Sequence, residues 1–199
     1  MHADRPVFVL ASGSPRRLDL LRQIGLEPNH IHPTDIDETP HPRELAPDLA
    51  LRLAKEKRDA AWSEIEARHG SALVLAADTV VACGRRILPK AASAEEAKRF
   101  LKLLSGRSHR VWSGVAVASH KGVWAKRVES RVTFARLDPD QIDQYVASGE
   151  WDGKAGAYAI QGRAALFVRS IQGSYSNIVG LPLRETALLL EAAGLPVWQ

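Results

Sequence analysis

A short polar turn near the N-terminus carries residues whose types suit the binding of a phosphate. The run Val7 to Ala11 is apolar and partly β-branched, which predicts a buried strand, and Ser12-Gly13-Ser14-Pro15-Arg16-Arg17 follows it directly. Ser14 is a good N-cap and Pro15 suits the first helical position, so a helix is expected to begin here. Backbone N–H groups at the helix N-terminus would then lie beside two hydroxyls and two guanidinium groups. The turn favours an anion site; the alternative is an ordinary capped helix with both arginines in solvent.

A carboxylate interrupts a strongly apolar stretch further along the chain. Asp78 follows the run Ala72 to Ala77 and precedes Thr79 and two valines, so it lies where a buried strand is expected to continue. A carboxylate in such a place is costly unless it is paired or bound to a metal. Because strand ends in α/β sheets form ligand crevices, Asp78 is interpreted as a general base, a metal ligand or both. The alternative is a turn residue at the end of a strand.

One lysine falls on the apolar face of a helix predicted over residues 48–69. That face is formed by Leu49, Leu53, Ala60, Ala61 and Ile65. Lys57 lies near its centre, so its stem either covers apolar surface while the ammonium reaches solvent, or the ammonium enters a cleft and binds phosphate. Lys90 and Lys154 are further candidate cations, for which an ordinary surface position is the alternative.

The remaining pattern predicts the elements that must position these groups. Residues 27–47 are expected to form a long loop, and no recognised zinc spacing includes its histidines His30, His32 and His41. Further helices are predicted over residues 94–104 and 139–147 and between Pro182 and Gly194, and further strands over residues 111–119, 122–126, 128–137 and 164–171. This order favours an α/β fold with a mixed, twisted β-sheet flanked by helices. The 199 residues fit a single domain, 1–199, or two lobes that share a cleft.

Composition narrows the class of partner. A net charge of +4 suits an anionic ligand, but the 27 basic residues are dispersed, so a small phosphorylated molecule is favoured and no nucleic acid is expected. No stretch of about 18 apolar residues and no export signal is visible, which predicts no membrane span. The single cysteine, Cys83, agrees with a reducing compartment, so a cytoplasmic location is expected.

Taken together, these pieces resemble the Maf family of nucleoside triphosphate pyrophosphatases, from about Phe8 to Leu195. Six motifs carry the resemblance in order: Leu10 to Arg17, Ala54-Lys55-Glu56-Lys57, Ala77-Asp78-Thr79-Val80-Val81, Leu104-Ser105-Gly106, Lys154 to Gly162, and Gly173-Ser174-Tyr175 with Val179-Gly180-Leu181-Pro182-Leu183. The resemblance implies a mixed α/β fold with two lobes around a central cleft. It also implies a divalent metal, Mg²⁺ or Mn²⁺, and release of pyrophosphate by cleavage between the α and β phosphates.

Carried over by position, the resemblance assigns roles to individual residues. Asp78 would accept a proton, and Asp78 with Glu38 would bind the metal. Substrate choice would be tuned by Arg16, Thr79 and Gln161, and the site would be lined by Ser12, Ser14, Arg17, Glu38, Lys57 and Lys90. Thr79 and Gln161 resemble the branch acting on dTTP and UTP rather than the branch acting on 7-methyl-GTP. The amide of Gln161 can accept from N3–H and donate to O4 of uracil or thymine, whereas cytosine presents the opposite pattern.

Two functional alternatives and one local departure accompany this resemblance. A non-catalytic regulator that binds nucleotide or nucleic acid is the second hypothesis, since the family has been linked to septum formation; a carboxylate beside the anion speaks against it. A phosphotransferase is not favoured, because no P-loop sequence is present. The departure is Pro89 and Ala91 around Lys90, where a glycine and a proline are expected, and it puts the reach of Lys90 in question. A homodimer and a house-cleaning role are implied by the family alone.

Overall fold

A seven-stranded mixed sheet forms the centre of the structure, a computed structural model that describes residues 6–69 and 71–198. Its strands are β1 (Val7–Ala11), β2 (His30–Ile31), β3 (Ala72–Cys83), β4 (Arg86–Leu88), β5 (Ser108–Ser119), β6 (Gly122–Phe134) and β7 (Val168–Gln172). The order across the sheet is β2-β1-β3-β5-β6-β7, and β4 pairs with β3. β1 is parallel to β2 and β3, whereas the other pairs are antiparallel. The mixed α/β fold predicted from the sequence is confirmed.

Helices cover the sheet. They are α1 (Pro15–Gln23), α2 (Ala46–Glu66), α3 (Ala94–Leu104), α4 (Pro139–Ala147), α5 (Tyr175–Val179) and α6 (Leu183–Ala192), with a 3-10 helix at Arg163–Phe167. Ser93 caps α3 by accepting a hydrogen bond from the backbone N–H of Glu96, as the capping-box pattern predicts. Within residues 6–69 and 71–198, every helix is too short or too polar to cross a membrane. The expectation that the chain carries no export signal also concerns residues 1–5, which lie outside the described residues.

The edge of β3 changes partners in the middle of the strand. β1 pairs with β3 from Ala72 to Ala76, and β4 pairs with the same edge from Val81 to Cys83. Among the described residues, no strand pairs with positions 77–80 on this edge. Asp78 lies in this gap, just beyond the carboxyl end of the parallel strand β1, which is where α/β sheets open a ligand crevice.

Gly114 of β5 lets α2 approach the sheet closely beside this gap. Gly114 lies opposite Asp78 in the antiparallel β3–β5 pair. A Cβ atom at Gly114 would lie 2.1 Å from the carbonyl oxygen of Ala50 and 2.8 Å from Cα of Leu51, so a side chain cannot fit without moving the helix. The close contact places the following turns of α2, which carry Lys57, over β3.

Two regions of the chain differ from the strands predicted for them, and β4 and α5 were not predicted. The strand predicted over residues 164–171 begins as a 3-10 helix, because the buried residues Ala164 and Phe167 are three positions apart while Leu166 between them is 85% exposed. The two strands predicted over 122–126 and 128–137 are one continuous strand, β6, paired with β5 along its whole length. Arg127, Glu129 and Arg131 alternate along its exposed face, which an antiparallel strand tolerates.

Candidate active site

A cleft of about 740 Å³ opens at the gap in β3. One wall is the turn between β1 and α1, and another is the long loop before α2 together with the inner face of that helix. The opposite wall comes from the loop after β4, the turn at residues 153–155 and the C-terminal end of α5. Apolar side chains from both sides of the gap, including Leu53, Leu88 and Ile178, line the space between these polar segments.

Lys57 joins two carboxylates in this cleft. Its Nζ lies 2.6 Å from Oδ1 of Asp78 and 2.5 Å from Oε1 of Glu38. Lys57 and Asp78 are only 8% and 7% exposed, so the ion pair is shielded from bulk water. The inward orientation of Lys57, one of the two alternatives left by its helical position, is therefore confirmed.

Lys90 reaches the same cluster from the other side of the cleft. Its Nζ donates to Oε2 of Glu38 at 3.1 Å, so each oxygen of Glu38 accepts from a different lysine. Pro89 does not prevent this reach, and Ala91 is buried in the hydrophobic core beside α3. The departure from the family pattern around Lys90 therefore leaves its ammonium in the cleft.

Arg17 organises the turn after β1 rather than standing in solvent. Its Nη1 donates to Oγ of Ser12 at 2.9 Å, its Nε to the carbonyl oxygen of Gly180 at 3.0 Å, and its Nη2 to Oγ1 of Thr79 at 3.4 Å. Three segments that are distant in sequence are thus fixed by one planar guanidinium group, whose donors point in set directions. The hydroxyl of Ser14, by contrast, does not cap α1.

A chain of buried hydroxyls continues from Arg17 into the protein. Arginine only donates, so Thr79 accepts from Arg17; the Thr79 hydroxyl lies 3.0 Å from Oγ of Ser113. Ser113 donates in turn to the carbonyl oxygen of Asn177 at 3.3 Å. Ser113 and Asn177 are fully buried, and they hold Thr79 in one orientation.

The loop that carries Glu38 is itself held to α2 by an arginine. Arg52 donates to both carboxylate oxygens of Glu44 at 2.8 Å and to the carbonyl oxygen of Thr39 at 3.0 Å. These bonds fix the loop immediately after Glu38. Glu38 is thereby positioned to bind Lys57, which lies five residues beyond Arg52 on the same helix.

The charges of the cleft influence one another. Burial acts to raise the pKa of Glu38, but hydrogen bonds and charge from Lys57 and then Lys90 outweigh it, so the pKa is lowered. Burial lowers the pKa of Arg17, against the opposing effect of Asp78 and then Glu38. The pKa of Arg16 is lowered by burial and then by the charge of Arg17. Both arginines stay protonated because guanidinium ordinarily titrates so far above neutrality.

Most residues singled out in the sequence meet in this one cleft. Its lining includes Ser12, Ser14, Arg16, Arg17, Glu38, Lys57, Asp78, Thr79 and Lys90. Gln161 is the exception: it is exposed and does not belong to the described residues that line the cleft. Sequence reasoning missed Ser113 and Arg52. No periodicity or motif distinguishes these two residues. In the sequence, Ser113 is one position of an apolar strand, and Arg52 belongs to the polar face of a helix.

The residues present fit a hard divalent cation. Glu38 and Asp78 bring carboxylate oxygens from different elements to one positively charged point, the Nζ of Lys57. Mg²⁺ is characteristically bound by one or two carboxylates together with substrate phosphates and water, rather than by a full protein cage. A group of three or more His, Cys, Asp or Glu in metal-binding arrangement is absent from the described residues. The two carboxylates of Glu38 and Asp78, beside the turn from Ser12 to Arg17, match the pattern of one or two carboxylates.

Comparison with known proteins decides the family. Residues 7–193 match the family model described as Maf-like protein. The chain belongs to the Maf family. A Maf relative from Rhodopseudomonas palustris (strain BisB18), named dTTP/UTP pyrophosphatase, is 55% identical over 196 residues, which cover 97% of this chain and 95% of the relative. Relatives with the same name from Bradyrhizobium diazoefficiens and Brucella abortus (strain 2308) are 53% and 54% identical, over 97% and 96% of this chain and 94% and 93% of their own lengths.

Proposed function

We propose that this protein is a metal-dependent nucleoside triphosphate pyrophosphatase that converts dTTP and UTP to the nucleoside monophosphate and pyrophosphate. The observation that carries the proposal is the meeting of Asp78, Lys57 and Glu38 in one cleft beside the turn from Ser12 to Arg17. Its Maf relatives that are named dTTP/UTP pyrophosphatase support the substrate. A binding site for phosphate alone would gain nothing from two carboxylates.

The triphosphate is bound by the cationic wall of the cleft. The turn after β1 presents Ser12, Ser14 and Arg16, while Lys57 and Lys90 stand opposite. Arg17 holds this turn in shape through Ser12 and contributes positive charge from within. Charge-assisted hydrogen bonds from ammonium and guanidinium groups are roughly twice as strong as neutral ones, which suits a ligand of several negative charges.

Asp78 activates the attacking water. One of its oxygens, Oδ1, accepts from Lys57, which orients the carboxylate toward the cleft. Its other oxygen takes a proton from water as the water oxygen bonds to the α phosphorus. The bond from that phosphorus to the bridging oxygen breaks, and pyrophosphate leaves with the electron pair. Lys57 and Lys90 offset the negative charge that develops, so positioning and electrostatics supply most of the rate.

A divalent metal is expected to assist. When bound, Mg²⁺ or Mn²⁺ would neutralise phosphate charge and act as a Lewis acid. Asp78 and Glu38 would hold it, since both present oxygen atoms at the site. If Glu38 bound the metal, its hydrogen bonds from Lys57 and Lys90 would be released, so that both ammonium groups could contact phosphate while Lys57 keeps its bond to Asp78.

The pyrimidine base is expected to be recognised through Thr79 and Gln161. Thr79 lines the cleft, and its hydroxyl is fixed by Ser113 and Arg17. Gln161 lies on the segment that also supplies Tyr158 to the cleft lining, but its own side chain is exposed. Its role in reading uracil or thymine stays a prediction.

The wider setting is proposed from the family. Residues 1–199 are treated as one functional domain, acting in the cytoplasm on free nucleotides rather than on a nucleic acid. A homodimer is expected by analogy, and light scattering of the purified protein measures it.

A nucleotide panel tests this function. Purified protein is incubated with dTTP, UTP, dCTP, GTP and 7-methyl-GTP, with Mg²⁺, Mn²⁺ or a chelator, and pyrophosphate and orthophosphate are measured separately. The proposal predicts pyrophosphate and monophosphate from dTTP and UTP, and no release with chelator. Orthophosphate would contradict the cleavage site, faster turnover of 7-methyl-GTP would contradict the substrate, and tight binding without turnover would favour the regulator.

A further inference from the structure

Three of the cations that line the cleft, Arg16, Arg17 and Lys154, form no ion pair with a carboxylate among the described residues. The guanidinium of Arg17 is instead held by Ser12, Thr79 and Gly180, which leaves Arg16 and Lys154. Arg16 and Lys154 both line the cleft and are both half-buried. Lys57 and Lys90 are neutralised by Asp78 and Glu38, whereas neither Arg16 nor Lys154 forms an ion pair with a carboxylate among the described residues. Half-buried charges without a counter-ion are costly unless a ligand supplies it.

The two charges are near enough to influence each other. Burial lowers the pKa of the Lys154 ammonium, and the charge of Arg16 lowers it further, against the smaller opposing effect of Asp152 and Glu150. The Nζ of Lys154 donates to the carbonyl oxygen of Asp152 at 2.7 Å, which holds the ammonium over its own turn. Like charges that share a cleft are typical of a site for a multiply charged anion.

The backbone fixes the turn that carries Lys154. Ala155 forms an antiparallel bridge with Lys90, and the N–H of Gly156 donates to the carbonyl oxygens of Leu88 and Pro89 at 2.9 and 3.2 Å. Gly156 has φ of +70°, and a Cβ there would lie 2.8 Å from Cγ1 of Val81. Lys154 is therefore mounted on the same rigid wall as Lys90, not on a free surface loop.

We propose that Lys154, together with Arg16, binds the part of the triphosphate that leaves as pyrophosphate. This inference rests on the proposed function, since it assigns a contact within that reaction. Asp78, which acts at the α phosphorus, already has Lys57 beside it. Arg16 and Lys154, which form no ion pair with a described carboxylate, are therefore assigned to the β and γ phosphates.

Binding of pyrophosphate itself tests the assignment without requiring turnover. Calorimetry with Mg²⁺ measures the dissociation constants of inorganic pyrophosphate and of UMP for the whole protein and for Lys154→Met, Lys154→Arg and Lys126→Met. Lys126 is an exposed lysine on β6, so its variant removes the same charge away from the cleft. The midpoint of thermal unfolding of Lys154→Met is expected to equal or exceed that of the parent, because backbone bonds fix its turn and the variant removes a charge without a described counter-ion.

The expected result is specific to one ligand and one position. Lys154→Met raises the dissociation constant of pyrophosphate about tenfold, as expected for one lost charge-assisted contact. In Lys154→Arg and Lys126→Met this constant stays within about threefold of the parent value. UMP binds all four proteins alike. Equal pyrophosphate affinity in Lys154→Met and Lys126→Met would overturn the inference, as would a loss confined to UMP. If the parent protein bound pyrophosphate through Lys154 but hydrolysed no triphosphate, the proposed function would be refuted. The assignment of Lys154 as a pyrophosphate-binding residue would still stand.

Discussion

Lys57 and Asp78 meet 2.6 Å apart although 21 positions separate them and they belong to a helix and a strand. The contact depends on the gap in the edge of β3, where Asp78 lines the cleft, and on the close approach of α2 at Gly114. Together these two features bring a carboxylate and an ammonium into the cleft that the turn from Ser12 to Arg17 also lines.

Replacement of Lys57 by methionine removes the cation between two carboxylates. We expect kcat/KM for UTP to fall by about 100-fold or more, because charge that develops in the transition state loses a preorganised partner. The variant should also be less stable at pH 8 than at pH 5. Glu38 then lacks the main interaction that lowers its pKa, and protonation of its carboxylate relieves the repulsion between Glu38 and Asp78. Steady-state kinetics and thermal unfolding measure both effects. Lys55→Met, on the exposed face of the same helix, should change neither.

Replacement of Gly114 by alanine tests the packing of α2 on the sheet. The added Cβ meets backbone atoms of Ala50 and Leu51, which cannot move without moving the helix. We expect a loss of about 3 kcal/mol or more in the free energy of unfolding, measured in urea. Gly25→Ala is the comparison: its φ is +74° but nothing lies within 4 Å, so a smaller loss of about 1 kcal/mol is expected. Equal losses would refute the steric account.

Acid stability should depend on Glu44. Its hydrogen bonds from Arg52, with help from the backbone N–H of His41, lower its pKa from 4.5 to about 2 despite some burial. A lowered pKa in the folded state gives stability that is present above about pH 4.5 and is lost as the pH falls toward 2. Glu44→Gln should therefore melt lower than the parent at pH 6, with a difference that shrinks toward pH 2. A constant difference would contradict the assignment, and the exposed control Glu66→Gln should show little effect at any pH.

Removal of the Ser113 hydroxyl should loosen Thr79. Ser113→Ala leaves Thr79 without its closest side-chain partner and the carbonyl of Asn177 without a donor, so about 1–3 kcal/mol of the free energy of unfolding should be lost. The ratio of kcat/KM for dTTP to that for dCTP should also change, if Thr79 contributes to substrate choice. Ser119→Ala removes another buried hydroxyl of β5, bonded to the carbonyl of Ala193. It should cost similar stability but leave that ratio unchanged.

The sequence predicted the site better where local patterns carry the information. The turn from Ser12 to Arg17 leads into a helix that begins at Pro15, as predicted, although the Ser14 hydroxyl does not cap it. Periodicity placed Lys57 on the inner face of α2 and left two alternatives for its ammonium, of which the structure shows the one inside the cleft. Asp78 was recognised as an interruption of an apolar run. The strand does continue through Asp78, as expected, but the gap in pairing beside it was not predicted, because it depends on where β1 and β4 pair with β3.

Long-range contacts account for what the sequence did not predict. Arg17 was expected to face the ligand, but its bonds to Ser12, Thr79 and Gly180 also make it the anchor of the turn. Ser113 acquires its role only because β5 lies beside β3. Similarly, the 3-10 helix at Arg163–Phe167 replaces part of a strand because packing selects which residues are buried.

Replacement of Asp78 by asparagine measures the central claim most directly. The side chain keeps its size but can no longer accept a proton from water. Pyrophosphate release from UTP with Mg²⁺ or Mn²⁺ is predicted to fall by about 10² to 10⁴-fold in kcat, the range expected for loss of a general base. The variant should stay folded and still bind pyrophosphate. A folded Asp78→Asn variant with near-normal pyrophosphate release would contradict the role assigned to Asp78.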